Sequence, residues 1–237
     1  MAHAPQTGID HTALEQRLSS PRLTPYLAAT GQDRKKAIAL YQWNIEVSGA
    51  IYEALHVFEV ILRNTLDDRL CKWNATQTNP ATGQLHGNDW VFDPAPLLQR
   101  ICGKDLGVAR GRATQSVSKR AGSAVARHED VLAQLTLGTW RFLLPAKRDP
   151  GKQSLWQNAL SHGFPNLQRP ANQLVAAVHS VYQLRNRVAH LEPLLRTNLQ
   201  AEYKNMRTVI DAVDPKTLVW FTSINRIAAV GRARPRP

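Results

Sequence analysis

The stretch "GQDRKKAIALYQWNIEVSGAIYEALHVFEVILRNTLDDRLCKW" constrains the fold more than any other part of the chain. Ile38, Tyr41, Ile45 and Ser48 recur at helical spacing, and Leu55, Phe58, Ile61, Leu62, Thr65 and Leu66 continue the pattern. Asp33 stands where an N-cap belongs. The segment reads as two helices, or as one long helix bent at the small pair Ser48-Gly49. No segment sustains period-2 alternation and no repeat of 20 to 50 residues is visible, so the expected class is all-α.

Glycine and proline punctuate the rest. Residues 74 to 89, "NATQTNPATGQLHGND", form a polar loop. "WVFDPAPLLQRICG" reads as a turn and a short helix, followed by a weakly periodic basic run from 104 to 127. "EDVLAQLTLGTWRFLLP" reads as one helix stopped by Pro145, and "KQSLWQNALSHGFP" as a shorter one. "RPANQLVAAVHSVYQLRNRVAHLEP" is long and amphipathic, and helices around 197 to 212 and 215 to 229 follow. The domain expectation is a tail and short helix over 1–20, a single all-α domain over 21–230, and a disordered basic tail, "GRARPRP", over 231–237. Trp43, Trp73, Trp140 and Trp156 are expected in the core or at its boundary.

The chain has 43% apolar and 20% charged residues, which fits a folded protein. Its net charge of +12 favours a polyanionic partner. Two cysteines, Cys71 and Cys102, are too few for a disulfide framework. No CxxC or His/Cys cluster along the chain suggests zinc, and His128-Glu129-Asp130 reads as a helix start more than a metal site. The expectation is therefore no metal and no cofactor. The first residues lack a basic start and an apolar core, and no apolar run reaches the length of a membrane span. A cytoplasmic location with no membrane partner is expected.

One short motif carries chemistry. "LRNRVAH" places Arg185 and His190 five positions apart, with Asn186 directly after the arginine. Val178, Val181, Leu184, Val188 and Leu191 form an apolar stripe, and Asn186 and His190 share a face away from it. Arg185 and His190 are roughly 140° apart around one helix, so two copies of the helix facing each other collect both residue types better than one. The pair suits RNA. A base can take the 2′-OH proton for attack on the adjacent phosphorus, histidine serves as base or acid near neutrality, and arginine holds phosphate oxygens in a fork. His190 also falls near a helix C-terminus, where the macrodipole attracts positive charge. Arg-x4-His on its own is weak, because a chain this rich in arginine meets it by chance roughly once. The bland reading is a solvated Arg and His on a helix face.

With its surroundings the motif resembles a known family. "LRNRVAHLEPLL" is similar to the signature of the Abi-like (abortive infection, AbiD/AbiF-type) proteins, a branch of the HEPN superfamily. "LYQWNIEVSGAIYEALHVFEVILRNTLDDRL" resembles that family's N-terminal helices and "LTLGTWRFLL" its middle helix, so the resemblance runs in order over about residues 22 to 210. It implies a HEPN-type helical bundle that dimerises through the helices bearing Arg185 and His190. It implies a metal-independent endoribonuclease with one composite site, in which Arg185 and His190 are catalytic and Asn186 is the polar residue that follows the arginine. A role in phage defence or as a toxin, with an antitoxin or regulatory partner, goes with it. Many relatives carry a second histidine directly after the motif histidine, whereas this chain has Leu191.

"LRN" also occurs at 62 to 64. Glu59 and Arg63 are four apart among Phe58, Ile61 and Leu62, a good intrahelical pair in a half-buried setting. Glu59, Arg63 and Asn64 are expected to support the Arg185/His190 site structurally. From Arg100 to Arg127 seven bases face one acid, and Arg110, Arg112, Lys119 and Arg120, together with Arg187, are the expected RNA contacts. Two other functions compete with the nuclease: a non-catalytic HEPN dimer that binds RNA or protein, and a basic DNA-binding adaptor, for which no helix-turn-helix signature is present.

Overall fold

Asp33 caps the longest helix of the structure, its Oδ1 accepting the Lys36 amide at 3.0 Å. That helix runs unbroken from Arg34 to Asn74, about 60 Å at 1.5 Å per residue. Of the two readings of this segment, one long helix is what forms. Ser48 returns its hydroxyl to the Asn44 carbonyl (2.7 Å), and the ladder passes through Gly49. The structure is a computed structural model and describes residues 11–121 and 125–236. Its helices are α1 (His11–Leu18), α2 (Ser20–Ala29), α3 (Arg34–Asn74), α4 (Pro96–Ala121), α5 (His128–Leu132), α6 (Leu137–Leu143), α7 (Pro150–Asn158), α8 (Ala171–Ala189), α9 (Leu199–Val213), α10 (Pro215–Ile224) and α11 (Ile227–Arg232), with a 3-10 turn at Leu160–Gly163. Two isolated bridges, Thr78–Leu85 and Ala146–Asp149, are the only extended pairings among the described residues. The fold is all-α, and no described helix is long and apolar enough to cross a membrane.

The chain divides into two compact units. One is Met1–Ala54, Arg185–Gln200 and Asn225–Pro237; the other is Leu55–Leu184 and Ala201–Ile224. The division falls within α3, α8 and α9.

The first unit packs α2 against the start of α3. Tyr26 is fully buried and meets Tyr41 edge-on at 5.1 Å, and burial pushes its hydroxyl up to about 12. Trp43 donates its Nε1–H to the Val230 carbonyl (2.9 Å), and Arg226 pairs with Glu53 at 2.6 Å. The tail departs from expectation. Helix α11 extends to Arg232, and the Arg234 guanidinium lies 5.0 Å from the Trp43 ring while donating to the Leu195 carbonyl. Cation–π stacking and a backbone acceptor order a segment whose composition alone reads as disordered.

In the second unit Leu55, Phe58, Leu62, Leu66 and Leu70 of α3 are buried at spacings of three and four. Fully buried Asn74 closes the 75–95 loop. Its amide donates to the Gly87 and Asp93 carbonyls (2.8 and 2.9 Å), and its oxygen accepts the Ala95 N–H (2.8 Å). Trp90 and Trp140 meet edge-on at 6.1 Å in the core. The weakly periodic basic run lies, from 104 to 121, in α4. Leu98, Cys102, Leu106, Ala109, Ala113 and Val117 form a buried stripe. That burial outweighs the helix penalty of Gly103, Gly107 and Gly111, about 1 kcal/mol each.

Two expected helices are split. "EDVLAQLTLGTWRFLLP" becomes α5 and α6, with extended Thr136 at the start of α6 and Leu135 and Leu137 buried on either side of it. The expected 215–229 helix becomes α10 and α11, because Asn225 accepts the Ile227 amide through its side chain (3.0 Å) and starts a new helix. The helix start expected at His128 is present, with the Asp130 carboxylate accepting the Arg127 amide at 3.0 Å.

Candidate functional site

Helix α8 buries Leu174, Val178, Val181, Leu184 and Val188 and leaves Arg185 and Asn186 half-buried and His190 exposed at its end. Leu191, expected to extend the apolar stripe, is instead 67% exposed. The helix has already ended. The His190 amide makes the last helical bond, to the Asn186 carbonyl (2.9 Å). Leu191 then takes a left-handed φ of 56°, its N–H reaches Val188 O (3.1 Å), and Glu192 N–H returns to Arg187 O (2.9 Å). This is a Schellman closure, with a leucine where glycine or asparagine is usual.

The turn after His190 is held from four directions within the first unit. Arg22 of α2 donates to the Leu191 carbonyl. Buried Asn44 of α3 accepts the Leu194 amide at 2.7 Å. Arg234 donates to the Leu195 carbonyl at 2.8 Å. Arg187 spends its guanidinium on Pro193 O (2.7 Å), Thr197 Oγ1 (2.9 Å) and the Glu192 carboxylate (3.3 Å). Sequence reasoning placed Arg187 on RNA and did not find Arg22, Asn44 or Arg234. These groups lie 169, 150 and 39 residues from their partners, so no local spacing announces them.

Against this fixed frame the motif side chains stand uncommitted. Among the described residues, Arg185, Asn186 and His190 have no hydrogen-bond, ion-pair or ring partner through their side chains. A free guanidinium fork can take two phosphate oxygens, and a free imidazole can move a proton. Beside the turn lies a cavity of about 490 Å³ lined by Pro25, Ala28, Arg187, Pro193, Arg196 and Arg234.

The other expected residues lie on α3 and α4. Glu59, Arg63 and Asn64 belong to the second unit; the first two are half-buried, and Arg63 Nε donates to Asn64 Oδ1 at 3.2 Å. On α4, Arg112 and Lys119 are exposed. Arg110 is half-buried, bonded to the Val91 carbonyl and set 5.9 Å from the Phe92 ring. The side chain of Arg120 lies outside the described residues.

A second constellation was not assembled from the sequence. His128, at the start of α5, places Nε2 2.9 Å from Asp67 Oδ1 and Nδ1 2.9 Å from Asp89 Oδ1. Trp90 Nε1 donates to the same Asp67 oxygen (2.7 Å), and Cys71, one turn beyond Asp67 on α3, points its Sγ there from 3.7 Å. The Asp67 carboxylate, then Cys71 and Asp89, push the His128 imidazole up to about 11 against the opposing effect of burial. The i,i+4 spacing of Asp67 and Cys71 was visible; the approach of His128, 61 residues from Asp67, was not. Comparison with models of known protein families, with curated proteins and with solved structures found no match for the chain.

Proposed function

We propose that the chain is an endoribonuclease that cleaves RNA by 2′-OH attack without a catalytic metal ion, working as a homodimer through the Arg185–His190 helix. The observation that carries this reading is the pair of uncommitted side chains, Arg185 and His190, at a helix terminus whose following turn is pinned by Arg22, Asn44, Arg187 and Arg234. A rigid frame holding a free fork and a free imidazole suits phosphoryl transfer, where positioning and charge stabilisation supply most of the rate. His190 is the acid or base, Arg185 binds phosphate oxygens, and Asn186, on the His190 face, becomes the ring's partner when RNA is bound. The angle between Arg185 and His190 on one helix favours a groove between two copies. The net charge of +12 supports a polyanionic substrate, and phage defence or toxicity is the setting that fits such a nuclease.

Purified protein incubated with tRNA-like RNA in EDTA should leave 2′,3′-cyclic phosphate and 5′-OH ends. Arg185→Ala and His190→Ala should each abolish cleavage and keep the fold. A heterodimer of one intact chain and one Arg185→Ala/His190→Ala chain should lose most activity. Cleavage that needs a divalent ion, 3′-OH products, or half the activity in the heterodimer would overturn the mechanism. The second reading, a non-catalytic RNA- or protein-binding module, is favoured by the exposed Arg112 and Lys119 on α4, which can bind without chemistry; it predicts binding without cleavage in the same assay.

A further inference from the structure

We propose that Asp67, Cys71 and His128 form a binding site for a zinc-type divalent cation. The site lies wholly in the second unit and does not rest on the nuclease reading. Asp67 Oδ1, Cys71 Sγ and His128 Nε2 all lie within 4.8 Å of one another. A tetrahedral zinc ion, with bonds of about 2.0–2.3 Å, holds nitrogen and oxygen ligands about 3.3 Å apart and sulfur and oxygen ligands about 3.5 Å apart. Here the corresponding separations are 2.9 Å (His128 to Asp67) and 3.7 Å (Cys71 to Asp67), each within a few tenths of an ångström of those values, and Cys71 Sγ lies within 4.8 Å of His128 Nε2, so a small closing movement of the thiol admits the ion.

The far side of the histidine is prepared as well. Asp89 accepts from Nδ1, which fixes the ring and leaves Nε2 for the metal, the carboxylate–histidine–metal arrangement in which an outer carboxylate orients a ligating imidazole. Trp90 Nε1 restrains the Asp67 carboxylate in the same way. Thiolate, imidazole and carboxylate together select a borderline-soft ion such as zinc or cobalt over magnesium or calcium. The set is half-buried, so solvent can deliver the ion and occupy a fourth position. Binding releases one proton from the Cys71 thiol and one from His128 Nε2, while the Nδ1 proton stays on the ring, donated to Asp89. Without the ion, the same groups form a hydrogen-bonded ion triad.

The test is cobalt titration of the chelator-stripped full-length protein. One cobalt ion should bind per chain, with a thiolate-to-cobalt charge-transfer band and the visible bands of a four-coordinate ion. Cys71→Ser, at a half-buried position, should abolish the charge-transfer band with an unchanged circular dichroism spectrum. Asp89→Asn should keep the band and weaken binding by about tenfold or more. No band in the wild type, or a band that survives Cys71→Ser, would overturn the proposal. Neither readout involves RNA, so the outcome is separate from that of the cleavage assay in EDTA.

Discussion

Replacing Arg187 by alanine should destabilise the protein and leave the salt dependence of RNA binding unchanged. The magnitude follows from what its guanidinium touches. Hydrogen bonds from a charged donor contribute about 1.5–3 kcal/mol each when well buried. Arg187 makes two short ones, to Pro193 O at 2.7 Å and Thr197 Oγ1 at 2.9 Å. The contact with Glu192 is long (3.3 Å) and half exposed, and adds a few tenths of a kcal/mol at most. The Arg187 side chain is itself 36% exposed, so solvent screening reduces the total to about 2 kcal/mol. For a chain of this size that lowers Tm by about 4–8 °C. Urea melts of the wild type, Arg187→Ala and Arg187→Lys measure the loss; lysine should recover only part of it, because it lacks the fork that reaches both acceptors. The log–log salt slope of RNA binding reports phosphate contacts, and losing one shifts it by about one unit. An Arg187→Ala protein as stable as the wild type, with a slope reduced by about one, would show that Arg187 is a phosphate ligand and refute the clamp.

Leu191→Gly should stabilise by about 1 kcal/mol in the same melts, because glycine carries no penalty at a φ of 56°; a loss of stability would mean that the exposed leucine side chain contributes more than the backbone strain costs. Arg112→Gln/Lys119→Gln should flatten the salt slope of RNA binding with an unchanged Tm, whereas Arg110→Gln should lower Tm, since Arg110 is bonded to Val91 O. Arg100, then the Lys152 amide, hold the Asp149 carboxyl below its ordinary value of 3.8. A depressed carboxylate contributes stability above its unfolded pKa and loses it as pH falls through the folded one. Arg100→Met should therefore be less stable than the wild type at neutral pH, with the gap closing as pH drops below 3.8; a gap that persists in acid would assign Arg100 to packing alone.

Periodicity carried the helical class, the Asp33 cap and the end of α8 near His190, because these depend on residues within a few turns of one another. It failed where burial overrode propensity, as in α4, which runs through three glycines, and where single side chains restarted a helix, as Asn225 does for α11. At the candidate site the sequence supplied Arg185, Asn186 and His190 but not the frame around them. It misjudged Leu191 by carrying the apolar stripe past the last helical bond. Arg187 is the instructive case: on a sequence it is one more base beside the motif, and only the positions of Pro193 and Thr197 turn it inward. His128 shows the same limit, since a helix start and a hydrogen-bond partner of Asp67 are the same residue seen locally and across the fold.

The bond from Trp43 Nε1 to the Val230 carbonyl joins groups 187 residues apart, and the unit that contains it draws on three separated stretches of chain. Its folding order follows. Loop-closure entropy must be met before such contacts form, which makes this unit slow to assemble relative to one built from neighbours in sequence. During synthesis Asn44, Trp43 and Tyr26 emerge long before Leu194, Val230 and Arg234, so Asn44 and Trp43 wait, open to solvent, until Leu194 and Val230 have been made. The turn after His190 is therefore completed well after α2 and α3 have been made, and a chain cut short before Val230 keeps Arg22, Asn44 and Arg187 around that turn but lacks the Arg234 contact with Leu195.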